Sequence, residues 1–136
     1  MFLRNGCESN VRLTSRLWPA SRAGRIWRLA AIVFSLHGVL DPAITYLAVE
    51  VLQVGVEANP FLRRQLAGGP WQLAIAHVLL GVFFAATCWG VITLMRRGTA
   101  EEAADAYRLA RLFLFGMILW GVGLICWNTH VILQGV

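Results

Sequence analysis

Two ionisable side chains, His37 and Asp41, lie inside the first of three long apolar stretches of this chain. Thr45 follows Asp41 at the same spacing, so all three residues would share one face of an α-helix. The stretch from Leu29 to Ala48 is long enough for a membrane span. A carboxyl group near the middle of a span costs at least ~2.5 kcal/mol, so a partner or a ligand must offset this cost.

Other polar side chains are expected at a similar depth. With a rise of ~1.5 Å per residue, Asp41 would lie ~18 Å into its span, and His77 ~9–10 Å below the surface that this span reaches. Asn128 and His130, near the end of the third apolar stretch, would lie within ~6 Å of that same surface. The sequence therefore predicts a polar cluster in one half of the membrane.

The segment after the first apolar stretch contains the motif Glu57-Ala58-Asn59-Pro60. Asparagine followed by proline is typical of a helix start, because asparagine caps the helix and proline fits its first turn. We expect a short helix over residues 60–66. Glu57 would form either an ion pair with Arg63 or Arg64, or a contact at the start of this helix.

Three kinds of chemistry could use the cluster. A proton or ion relay would combine Asp41 with His37 or His77, since buried carboxylates and imidazoles titrate near neutrality. A metal site could begin from His37 and Asp41. The pattern favours a third interpretation, hydrogen bonds between helices, with Asp41 neutral or paired to His77. No zinc-protease, nucleophile-elbow or phosphate-loop motif occurs, so we predict no catalytic residue, metal or cofactor.

The elements that position these residues are long helices. The first span is predicted over residues 27–54, kinked or broken at Asp41-Pro42, because proline lacks an N–H and clashes with the preceding turn. The second is predicted over residues 70–95. The third begins at the capping box Thr99–Glu102, and its apolar part runs over residues 112–133.

The composition is that of a membrane protein. The chain is 58% hydrophobic and only 14% charged, whereas ordinary soluble domains have about 45–50% apolar and about 25% charged residues. We predict an all-α integral membrane helical bundle with three transmembrane helices. Residues 1–26 would be a flexible, Arg-rich cytoplasmic tail, and residues 27–136 the three-span transmembrane domain.

The basic residues indicate how the chain is oriented. All 12 are Arg: six lie in the N-terminal part of the chain through Arg28, four lie between residues 96 and 111, two lie in the first connecting segment, and none follows the third span. The positive-inside rule then predicts a cytoplasmic N-terminus and an outside C-terminus. The net charge of +5 could also suit nucleic acid, but arginines that flank apolar spans argue against that partner. The expected partners are the lipid bilayer and either a second copy or another membrane protein.

The motif residues also resemble a known family. Asp41 with Thr45, the Glu57–Pro60 motif and then Gly69-Pro70 resemble the D-x-x-x-T span and E-x-N-P loop of a family of small prokaryotic integral membrane proteins of unknown function. The resemblance covers about residues 37–91 and implies a multi-span helical fold. Relatives often carry a basic residue where His77 stands, whereas Pro42 differs from the apolar residue that is usual there. The resemblance implies no activity.

The sequence thus predicts a multi-pass membrane protein with a non-enzymatic structural or accessory role. The alternative is a proton-coupled or small-ligand-binding membrane protein that uses an outward-facing cavity lined by Asp and His residues. The predicted binding or structural cluster comprises His37, Asp41, Thr45, Glu57, Asn59, His77, Asn128 and His130.

Overall fold

A computed structural model describes residues 20–54, 56–57 and 59–135, and these ranges contain helices and no strands. The all-α prediction is therefore confirmed. Three of the helices are long and apolar enough to cross a membrane, as predicted. The helices are α1 (Ala20–Val51), α2 (Pro60–Ala67), α3 (Pro70–Arg97) and α4 (Ala100–Gly135).

Helix α1 begins at Ala20, ahead of the predicted boundary at Trp27. Residues 20–26, expected in the tail, are therefore helical, and residues 1–19 lie outside the described residues. The early start has a packing reason, since buried side chains recur every three or four residues along this part of the helix. These side chains are Ala23, Ile26, Ala30 and Val33.

Helix α1 is not broken at Asp41-Pro42. Its α-helical parts, Ala20–Phe34 and Asp41–Tyr46, alternate with π-helical turns over Ser35–Leu40 and Leu47–Val51. Asp41 has helical backbone angles (φ −60°, ψ −50°), and its N–H donates to the carbonyl of Leu36, five residues back. Of the two predicted forms of irregularity, a kink or a break, the break is therefore not observed.

The π-helical turn accounts for the continuity of α1. In an α-helix, the ring of Pro42 would press on the carbonyl of Gly38, four residues earlier. A π-turn is wider and pairs residues five apart, which relieves this clash without ending the helix. The irregularity expected at Asp41-Pro42 thus takes the form of a changed helical pitch.

The apolar core lies toward one end of the bundle. It joins the N-terminal parts of α1 and α4, which run in the same direction, to the C-terminal part of α3, which runs against them. His37 and Asp41 lie further along α1, beyond this core. The core residues are Ala23, Ile26, Val33, Ile92, Met95, Ala103, Tyr107 and Leu114.

Glycines allow two close contacts around α1. The ring of Phe34 lies over Gly38 and Gly81, where an added Cβ would meet ring carbons at 2.6 and 2.8 Å. On α4, a Cβ at Gly121 would stand 2.8 Å from Nε2 of His37. The helices therefore approach each other closely at Gly81 and Gly121. By contrast, an added Cβ at Gly90, Gly116 or Gly123 would meet nothing within 4 Å.

We predict that Gly121→Ala destabilises the bundle by about 1–3 kcal/mol, because the new methyl group would displace the His37 ring from a packed position. Gly116→Ala on the same helix is the matched control, and we expect it to leave stability unchanged or raise it by up to about 1 kcal/mol. Reversible unfolding in mixed micelles measures both changes. Equal stability of the two variants would contradict the contact.

Candidate functional site

The carboxylate of Asp41 is held by a side chain from another helix. Nδ2 of Asn128 on α4 donates to Oδ1 of Asp41 at 2.8 Å, and both side chains are partly buried. Asn128 was predicted to be a member of the cluster, but the expected partner of Asp41 was His77. A hydrogen bond from an amide offsets part of the cost of placing a carboxyl group in an apolar region.

His37 makes a second polar contact between α1 and α4. Its Nε2–H donates to the main-chain carbonyl of Met117 at 2.8 Å, which assigns the proton to Nε2 in the neutral ring. Within a helix this carbonyl already accepts from the N–H of the residue four positions on, Gly121. Because Gly121 has no side chain, the imidazole can reach an oxygen that a larger residue would cover.

His77 is satisfied within its own helix. Its Nδ1–H donates to the carbonyl of Leu73, four residues earlier on α3, at 2.8 Å. The prediction that His77 pairs directly with Asp41 is therefore wrong, since the structure gives Asp41 an amide partner instead. This bond turns Nδ1 toward the helix backbone and leaves Nε2 at the other edge of the ring.

A cleft of about 510 Å³ brings several of the predicted residues together. Its polar wall is formed by His37, Asp41, Asn59, Gln65 and His77. Its apolar wall includes Pro42, Phe61, Leu80 and Phe83. A largely apolar pocket with a few convergent polar groups is the usual form of a small-molecule site.

Gln65 is a residue of this cleft that sequence reasoning missed. It lies on α2 and is only 8% exposed, although glutamine is ordinarily a surface residue. One signal was present in the sequence: Gln65 is the only uncharged polar residue inside a short helix that carries two arginines. The order of polar and apolar residues in so short a helix does not indicate which of its faces is buried.

The Glu57–Pro60 motif forms the start of α2. The carboxylate of Glu57 accepts from the N–H of Asn59 at 2.6 Å, and Oδ1 of Asn59 accepts from the N–H of Phe61 at 3.0 Å. Arg63 donates from Nε and NH2 to the main-chain carbonyl of Glu57 at 2.9 and 2.6 Å. Two roles were predicted for Glu57: an ion pair with Arg63 or Arg64, or a contact at the start of α2. With Arg63 the structure shows the second, because the guanidinium binds the main-chain carbonyl of Glu57 and not its carboxylate.

Four predicted cluster members do not line the cleft: Thr45, Glu57, Asn128 and His130. Thr45 is buried on α1, only 7% exposed, but it is not part of the cleft wall. His130 is exposed on α4, and its ring lies 6.3 Å from that of Trp127 at a tilt of 49°. The spacing placed Thr45 and His130 at a suitable depth, but depth does not determine which way a side chain faces.

Three other ionisable side chains lie near Asp41: His37 on the same helix, His77 on α3 and Glu57 in the loop. In the described ranges 20–54, 56–57 and 59–135, no three His, Cys, Asp or Glu side chains are grouped to hold a metal ion. Within these ranges, His37 and Asp41 therefore have no third His, Cys, Asp or Glu side chain grouped with them.

No family model, curated protein or solved structure matches the chain.

We predict that the Asp41–Asn128 bond is worth about 0.6–1.7 kcal/mol as a coupling free energy. Asp41→Ala, Asn128→Ala and the double variant form the mutant cycle, read by unfolding in micelles. The matched cycle uses His77→Ala in place of Asn128→Ala, and its coupling should be smaller, since His77 bonds its own helix. A larger coupling to His77 than to Asn128 would show that the observed pairing is not the one that stabilises the protein.

Proposed function

We propose that this protein is a non-enzymatic, multi-pass membrane protein that binds a small polar solute in the cleft beside Asp41. The observation that carries the proposal is the composition of the cleft. It places one carboxylate, two imidazoles and two amides around a volume of about 510 Å³. Polar side chains in a spanning region are expensive, and when they converge on a cavity they generally serve transport, proton transfer or ligand binding.

The chemistry of the cleft favours a cationic solute or one with hydrogen-bond donors. An ionised carboxylate only accepts hydrogen bonds and offers about four lone-pair sites. Asn128 takes one of the sites on Oδ1. Asp41 also lines the cleft, so the remaining lone pairs of its carboxylate can accept hydrogen bonds from a solute that enters the cleft.

A structural or accessory role is the second candidate, and a different observation favours it. The Asp41–Asn128 and His37–Met117 bonds both join α1 to α4. Two polar bonds between the same helices fix their depth and rotation relative to each other. The open faces at Gly116 and Gly123 would then allow a second copy or another membrane protein to approach closely.

Membership of the E-x-N-P family and the orientation in the membrane are part of the same proposal. What supports the family is the capping role of Asn59 and the position of Asp41 in the same cleft. What supports a cytoplasmic N-terminus is the distribution of arginine, since ten of the 12 flank the end where α1 and α4 begin and α3 finishes. The cleft would then open toward the outer half of the membrane.

The solute proposal predicts that the cleft admits water and prefers cations. In a background without Cys7, Cys88 and Cys126, Leu80→Cys places a thiol in the cleft, and Val82→Cys places one on an exposed face of α3 outside it. We expect Cys at 80 to react faster with a trimethylammonium methanethiosulfonate than with the sulfonate reagent. The preference should be at least about fivefold, the equivalent of about 1 kcal/mol of attraction.

The contribution of the Asp41 carboxylate to this preference is tested by comparing Asp41→Asn with Asp105→Asn in the Leu80→Cys protein. Asp41→Asn should abolish the preference for the cationic reagent, while Asp105→Asn, an exposed carboxylate paired with Arg108, should retain it. If Cys at 80 reacts no faster than Cys at 82, the prediction that the cleft admits water is wrong. An unchanged preference in Asp41→Asn would leave the structural role as the better proposal.

The orientation proposal predicts that a cysteine introduced at Val136, in the same cysteine-free background, is labelled by a membrane-impermeant maleimide on intact cells. A cysteine introduced at Arg97, in the arginine-rich loop, should be labelled only after the cells are opened. Protection of position 136 in intact cells would reverse the proposed orientation. Labelling at both positions would contradict a chain that crosses the membrane between them.

A further inference from the structure

A second cleft lies between the N-terminal parts of α1 and α4, at the opposite end of the bundle from Asp41. Its volume is about 350 Å³. The residues that line it are Arg25, Arg28, Leu29, Ile32, Arg111 and Phe115. The two helices run in the same direction, so the arginines stand at the outer end of this cleft and Ile32 and Phe115 lie deeper along the helices.

Three arginines thus line one small space. Arg25 and Arg28 are three residues apart and share a face of α1, while Arg111 comes from α4. None of the described residues that line the cleft is acidic. Among the residues that the structure describes, the one ion pair joins Arg108 to Asp105, so none of these three arginines is neutralised by a carboxylate there.

Aromatic rings hold Arg111 in place. Its guanidinium carbon lies 5.5 Å from the ring centroid of Tyr107 and 6.0 Å from that of Phe115. These distances are within the range of a cation–π interaction. The contacts restrict the side chain before any ligand arrives, which reduces the entropy that binding would cost.

The deeper wall of the cleft is apolar and open. Ile32 is 47% exposed and Phe115 is 45% exposed, and both lie about one turn further into the bundle than the nearest arginine. The cleft is therefore amphipathic along its length. Its charged end would lie at the membrane interface and its apolar end among the acyl chains.

We propose that this cleft binds an anionic glycerophospholipid, with its phosphate held by Arg25, Arg28 and Arg111 and one acyl chain against Ile32 and Phe115. Guanidinium groups bind phosphate oxygens through paired hydrogen bonds, which a lysine could not reproduce. Basic pockets between spanning helices are typical sites for anionic headgroups. This site is independent of the solute proposed for the Asp41 cleft.

Native mass spectrometry of the full chain released from nanodiscs tests the site. The discs contain phosphatidylglycerol and phosphatidylcholine in equal amounts. We expect the protein to retain phosphatidylglycerol in preference to phosphatidylcholine. The double variant Arg25→Gln/Arg28→Gln should reduce this retention about tenfold or more. The matched control, Arg96→Gln/Arg97→Gln, removes the same charge from the same end of the bundle, outside the cleft, and should retain the lipid.

Two further measurements separate a lipid site from general charge attraction. Arg111→Lys keeps the charge but removes the planar fork, so retention should fall while helicity by circular dichroism stays unchanged. Excess inorganic phosphate should not displace the lipid, because it cannot use the apolar wall. Equal loss of lipid in the two double variants, or displacement by inorganic phosphate, would overturn the proposal.

Discussion

The carboxyl group of Asp41 is the constraint on which the rest of this fold depends. A carboxyl group in an apolar region must be hydrogen-bonded or it destabilises the protein by several kcal/mol. The bond from Asn128 meets this requirement only if α4 lies beside α1 in one register. The bond from His37 to the carbonyl of Met117 requires the same register, and Gly121 provides the space for it. Two polar groups on α1 thereby determine how α4 is placed.

The π-helical turns of α1 make this arrangement compatible with Pro42. A proline inside a regular α-helix would remove a hydrogen bond and press on the preceding turn. The turn over Ser35–Leu40 widens the helix just before Pro42, and it contains His37. A changed pitch also changes the angle between His37 and Asp41, which in a regular α-helix would be about 40°. The same π-helical turn therefore accommodates Pro42 and changes the directions in which His37 and Asp41 point.

The sequence was sufficient for properties that depend on composition and local chemistry. Hydropathy predicted three long helices, and the Asn59-Pro60 pair predicted the start of α2, because each depends on neighbouring residues alone. The partner of Asp41 was predicted less well. Depth favoured His77 over Asn128, and only the rotation of α3 shows that His77 bonds its own backbone. Rotation depends on contacts such as Phe34 against Gly81, which a single sequence does not reveal.

The two ends of the bundle meet different physical demands. Where α1 and α4 begin, apolar side chains pack into a core and leave arginines at the edge. Where α1 approaches α2, polar side chains line a cleft. Stability concentrated at one end allows the other end to carry groups that are costly to bury. A carboxylate that accepts one hydrogen bond from an amide keeps further lone pairs, which the solute site proposed beside Asp41 requires.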